Sequence, residues 1–184
     1  MYPHTLTKFP PIYNEGQRYV DSLEEAEVPP RAPFSKLSLI IDDYALPRRV
    51  LSAGPKLDTP IARLRSGIRH PGTRTPIYLN SLALALFARF RRNGDLLDLQ
   101  DAVSKFREAA GLPGPLASAR QSTTFAVALC AYFLVSRDLN DLDEAISKFK
   151  QVVAMTPDGH PDLPGYVASL QDAYALQRSC TCHA

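Results

Sequence analysis

The chain has no tryptophan, and aromatic residues make up only 9% of it, so nothing in its composition argues for a large aromatic-lined pocket. No apolar stretch is long enough for a membrane span. The longest, Phe125 to Val135, is eleven residues, against the roughly 20 that a bilayer demands. It reads instead as a helix buried on all sides. The opening string MYPHTLTKFPPIY has no apolar h-region, so it is not a secretory signal. Cysteine is scarce and odd in number, with Cys130 inside the apolar run. That excludes a disulfide framework and favours a reducing compartment, and the expected location is cytoplasmic.

Catalytic motifs are missing too. There is no HExxH, no GxSxG, no glycine-rich phosphate loop and no paired-cysteine zinc spacing, and the histidines (His4, His70, His160, His183) are scattered. The tail offers Cys180, Cys182 and His183, but structural zinc usually takes four ligands with wider cysteine spacing. The tail is read as an exposed terminus. The expectation is a protein that is not an enzyme and holds no cofactor or metal.

The positive features begin with charge and proline. Residues 51–93 carry eight Lys and Arg against one Asp, while residues 94–184 carry eleven acidic residues against seven basic ones. A basic middle therefore precedes an acidic C-terminal half. Six prolines fall within residues 1–34 and exclude a long helix around them, which makes this stretch a flexible arm. Residues 17–26 are the one stretch of it with helical spacing.

The strongest signal is an internal repeat, the feature to seek first in any chain. DLLDLQDAVSKF at 95–106 returns as DLNDLDEAISKF at 138–149, an offset of 43 with eight of twelve positions identical. Upstream, Ala83, Ala85, Leu86, Ala88 and Phe90 return as Ala126, Ala128, Leu129, Ala131 and Phe133. Each unit reads as two helices. The first of the earlier unit spans about 78–92, is rich in Leu and Ala, and is interrupted by Gly94. The second is expected to start near Asp98, capped by that carboxylate, with Asp141 its counterpart and Glu144 completing a capping box. Its apolar stripe is Leu99, Ala102, Val103 and Phe106 in one copy and Leu142, Ala145, Ile146 and Phe149 in the other, at i, i+3, i+4 and i+7. The acidic clusters Asp95/Asp98/Asp101 and Asp138/Asp141/Asp143/Glu144 are read as helix starts rather than cation sites.

A decayed copy precedes these. Leu57, Ile61 and Leu64 carry its second stripe, Thr59-Pro60 its cap and Pro71-Gly72 its breaker. Its first helix would be about 35–46, with a strand at 37–41 as the alternative. After the last unit, 163–178 reads as a helix covering the open end of the stack. The predicted organisation is an arm (1–34), repeats at about 35–72, 76–114 and 119–157, a terminal helix at 163–178, and a frayed tail (179–184). The fold class is all-α, an antiparallel helix-pair solenoid.

These residues resemble the tetratricopeptide repeat. In that motif a small residue on the first helix is followed by Ala, a large apolar residue, Ala and Pro on or after the second. Here the positions fall on Ala83, Ala102, Phe106, Ala109 and Gly114, and again on Ala126, Ala145, Phe149, Val152 and Pro157. The family period is about 34 residues, so these units are longer. The excess is about two helical turns, as in a long-repeat variety found in fungal proteins. The resemblance implies a binding role and carries over no catalytic residue.

Its implied concave face runs along the first helices, where Asn80, Arg89, Thr124 and Tyr132 are the polar candidates for holding a protein or peptide partner. Thr123 stands at the place matching Asn80, so a full carboxylate clamp is not expected. Self-association is a further expectation, because about three repeats are usually needed for a stable array. Two alternatives stand beside this reading. One is an adaptor read by a WW domain through Pro10, Pro11 and Tyr13, which fit PPxY; Pro30 to Pro33 fit only the looser PxxP. The other is a regulatory repeat piece of a larger multidomain enzyme. The arginines of the basic middle (Arg63, Arg65, Arg69, Arg74, Arg89, Arg91, Arg92) are read as a solvated face, or as partners of acidic groups. Nucleic acid is disfavoured, because neither stacking aromatics nor a reading helix accompanies them.

Overall fold

The computed structural model describes residues 57–68, 76–112 and 118–181. Within them the chain is all-helical, with no strand. Six helices follow one another: α1 (Asp58–Ile68), α2 (Pro76–Asn93), α3 (Leu96–Ala110), α4 (Ala119–Ser136), α5 (Leu139–Met155) and α6 (Leu163–Thr181). Expectations placed on residues 1–56, 69–75, 113–117 and 182–184 lie outside the described residues; these include Pro10, Pro11, Tyr13, the helix at 35–46, the Pro71-Gly72 breaker, Arg69 and Arg74.

Two tight hairpins make the body. α2 and α3 are joined by Gly94 and Asp95 alone, and α4 and α5 by Arg137 and Asp138 alone. So short a link leaves antiparallel packing as the only arrangement. Both turns use the same device. The first helix ends in a left-handed residue, Gly94 at φ 71° or Arg137 at φ 60°. Its N–H returns to the carbonyl four residues back, Phe90 at 2.7 Å or Phe133 at 2.8 Å. Glycine adopts this conformation freely and arginine does not, so equivalence of the turns is set by the hairpin and not by the residue.

The second helices start earlier than the stripe predicts. Asp95 and Asp138 are the caps, their carboxylates accepting from the N–H of Leu97 and Asn140 at 3.0 Å each. Asp98 and Asp141 therefore lie one turn inside and are freed from capping. Glu144 makes no capping box. Likewise α1 begins at Asp58, which puts Thr59 and Pro60 inside its first turn. The true capping box is at α4, where Ser118 Oγ accepts from the Gln121 N–H and Gln121 Oε1 accepts from the Ser118 N–H.

Stripe and core coincide: Leu99, Ala102, Val103, Phe106, Leu142, Ala145, Ile146 and Phe149 are all buried. α4 is enclosed round its whole circumference, with every residue from Thr123 to Ala131 buried. Cys130 sits in that stretch, and burial above all pushes its thiol up to about 12, which leaves it protonated and unreactive at neutral pH. α6 packs on α5, and its Leu163, Tyr166, Leu170, Ala173 and Leu176 join the buried core. None of the helices is long and apolar enough to cross a membrane.

Ala83 and Ala126 are both fully buried on the first helices, where their missing side-chain bulk permits close approach. Ala126→Leu is expected to cost on the order of 1–3 kcal/mol by overpacking. Thermal melts of the two proteins check it, and an unchanged midpoint would refute the close packing.

Candidate functional site

Neighbouring hairpins meet in two different ways, one closed by ion pairs and one open. The closed side is built from the acidic first turns of the second helices. Asp98 is 3% exposed and faces Arg89, whose Nε and Nη2 donate to its two oxygens at 2.6 Å each. The third edge of that guanidinium donates to Asp58 of α1, also at 2.6 Å. These carboxylates, Asp98 foremost, hold the Arg89 cation even more firmly protonated than usual. Asp141, the counterpart of Asp98, is equally buried but takes its arginine from the preceding hairpin: Arg107 of α3 at 2.7 Å. Ser136 Oγ donates to its other oxygen at 2.9 Å.

A second pair of contacts repeats more faithfully. Arg65 of α1 reaches Asp101 of α3 at 2.7 Å, and Arg107 of α3 reaches Glu144 of α5 at 2.7 Å. Arg65 and Arg107 hold equivalent places relative to their acids, 36 and 37 residues apart. α1 therefore meets α3 through the same kind of contact as α3 meets α5.

The open side is a groove of ≈ 290 Å3 bounded by the C-terminal halves of α3 and α5, the first turns of α4 and the start of α2. Its floor is apolar. Phe106 and Phe125 stack there, ring centroids 5.1 Å apart and planes 23° off parallel, with Val152 beside them. Met155 stands at its rim, 57% exposed. Polar groups ring it: Asn80, Ser122, Lys148 and Gln151. Lys148 Nζ lies 5.7 Å above the centre of the Phe125 ring. Among the described residues no aspartate or glutamate lines the groove.

Comparison with known proteins adds no neighbour. No protein-family model, curated protein or solved structure matches the chain.

The residues expected on a concave face scatter. Asn80 does border the groove. Arg89 does not: all three edges of its guanidinium are engaged by Asp98 and Asp58. Thr124 is 1% exposed and donates its hydroxyl to the Arg120 carbonyl, because the middle of α4 is enclosed on every side. Tyr132 is partly buried against the core, away from the groove. Arg65, like Arg89, is engaged by the fold, so the basic middle is neutralised at these two positions by the helices beside it.

Lys148, Gln151 and Phe125 were not singled out by the sequence. The signal was nevertheless present. Lys105 and Glu108 pair at 2.9 Å in the first hairpin, and at the matching places in the second stand Lys148 and Gln151. The acid is lost where the groove opens.

Proposed function

We propose that the chain is a protein–protein interaction module, a helical-repeat array of tetratricopeptide type that binds a partner segment. The observation that supports this most is the recurrence of Arg65–Asp101 as Arg107–Glu144 between successive second helices. Hairpins that stack by one rule build an array, and an array leaves an extended surface free because each unit contacts only its neighbours. α1 then stands as the second helix of the decayed first unit, and α6 as the helix covering the far end. Among the described residues that line the groove, Lys148 is the one titratable side chain, set among apolar and amide groups suited to holding a segment.

A random-peptide library displayed on phage, selected against the full chain, tests the reading. The expected result is a family of enriched sequences whose synthetic forms bind with about micromolar affinity. Selection that enriches nothing, or enriches peptides binding an unrelated helical bundle equally well, would remove it.

A further inference from the structure

The two hairpins are near copies, so the places where they differ in charge are informative. Lys105 on α3 is half-buried and answered by Glu108 one turn on, at 2.9 Å. Its counterpart on α5, Lys148, meets Gln151 there instead, and no carboxylate pairs with it among the described residues. Its ammonium lies over the face of Phe125. A cation over an aromatic ring, on an apolar floor and without an acid in the lining, is complementary to a carboxylate brought from outside.

The rest of the groove narrows the kind of molecule that brings it. Asn80 and Gln151 are side-chain amides, each with a donor and an acceptor, and such groups match the alternating N–H and C=O of an extended backbone. The exposed Met155, above a floor of nearly buried Phe106, Phe125 and Val152, supplies a surface for an aliphatic side chain, and methionine adapts to varied shapes. The volume, ≈ 290 Å3, suits side chains of a segment laid across the groove. A nucleic-acid backbone is a poorer match, since phosphate binding relies on several cations in a row and among the described lining residues Lys148 is the one cation.

We propose that this groove binds an extended peptide segment bearing an aspartate or glutamate beside an aliphatic residue, with the carboxylate on Lys148 and the aliphatic group on the exposed Met155 at the rim. The proposal rests on the interaction-module reading and adds a location and a partner chemistry. It also implies that the first hairpin lacks such a site because Glu108 answers Lys105 internally.

Fluorescence anisotropy on the full chain tests it with three short labelled peptides: one alternating leucine and glutamate, a leucine–glutamine twin and a leucine–lysine twin. The glutamate peptide is expected to bind about tenfold more tightly than the glutamine twin, the gain of a charge-assisted hydrogen bond. Gln151→Glu gives Lys148 the partner that Lys105 already has, so the helix tolerates it, and it should abolish that preference. Lys148→Glu should transfer the preference to the lysine peptide, while Lys148→Arg should keep the original order. Equal binding of the glutamate and glutamine peptides would overturn the proposal. So would an acid preference that survives both Gln151→Glu and Lys148→Glu, or a uridine oligomer that outcompetes the glutamate peptide through Lys148. Phage-selected peptides that ignore both variants would also overturn it, yet leave the module reading standing; a library that yields no binder at all would remove both.

Discussion

Phe149→Ala is expected to cost about 4–5 kcal/mol and Phe106→Ala about 3–4 kcal/mol, both within the range for deleting a buried aromatic ring. The two residues occupy the same place in their repeats and each is 1% exposed, so composition and burial predict equal losses. Their surroundings separate them. Phe106 stacks on Phe125 and forms part of the groove floor, so the space it vacates joins a volume already open to water. Water and the rim residues can enter, and part of the lost contact is recovered. Phe149 is not among the residues lining the groove and is itself 1% exposed, so the space it leaves is closed in by core. A closed cavity retains the full penalty of missing partners. Urea titration of the full chain and both variants checks the order. Equal midpoints for the variants would show that the groove is no deeper than the ordinary surface beside Phe106, and a larger loss at Phe106 would contradict the assignment of floor and core.

The helical stripes were the most legible part of the structure, because helix burial depends on a period that one chain displays by itself. Every one of the stripe residues from Leu99 to Phe149 went inside. The hairpin turns were legible only in part. Gly94 announces a break, but its counterpart is Arg137, a residue with no propensity for the left-handed region, and the turn forms because the helices on either side require it. Misplacing the caps by three residues followed from the acidic clusters themselves. Asp95 and Asp98 are equally good capping residues in isolation, and only tertiary structure, by supplying Arg89 to one of them, decides which stays at the helix end. The same event explains why Arg89 looked like a binding residue. An arginine on a first helix has no visible partner in a linear reading when its acid lies across a turn. The groove needed a comparison of the two copies, Glu108 against Gln151, at positions outside any apolar stripe.

Asp98→Ala is expected to cost about 3 kcal/mol, while Asp141→Ala, at the matching position, should cost about 1–2 kcal/mol. Both carboxylates are almost wholly buried, with side chains 4% and 5% exposed. The difference lies in the arginine left behind. Arg89 keeps 20% of its side chain in solvent and would retain only Asp58, itself 74% exposed and a weak, screened partner. A cation held in such a place without its main partner accounts for most of the penalty of breaking a buried pair. Arg107 is 42% exposed and would keep Glu144, so it can rehydrate where it stands, which limits the loss to hydrogen bonds from itself and Ser136. If stranded charge is the cause, removing it as well must restore stability. The double variant Arg89→Met, Asp98→Leu should recover most of the 3 kcal/mol, roughly, since apolar replacement of a buried pair is often neutral or better. The loss at Asp98 should also persist in high salt, which screens exposed pairs such as Arg65–Asp101 and leaves buried ones largely untouched. Chemical denaturation across a salt series measures all four proteins. Equal losses for the two single variants, or a double variant no better than Asp98→Ala, would mean that the Arg89–Asp98 pair is held by the packing around it and contributes little of its own.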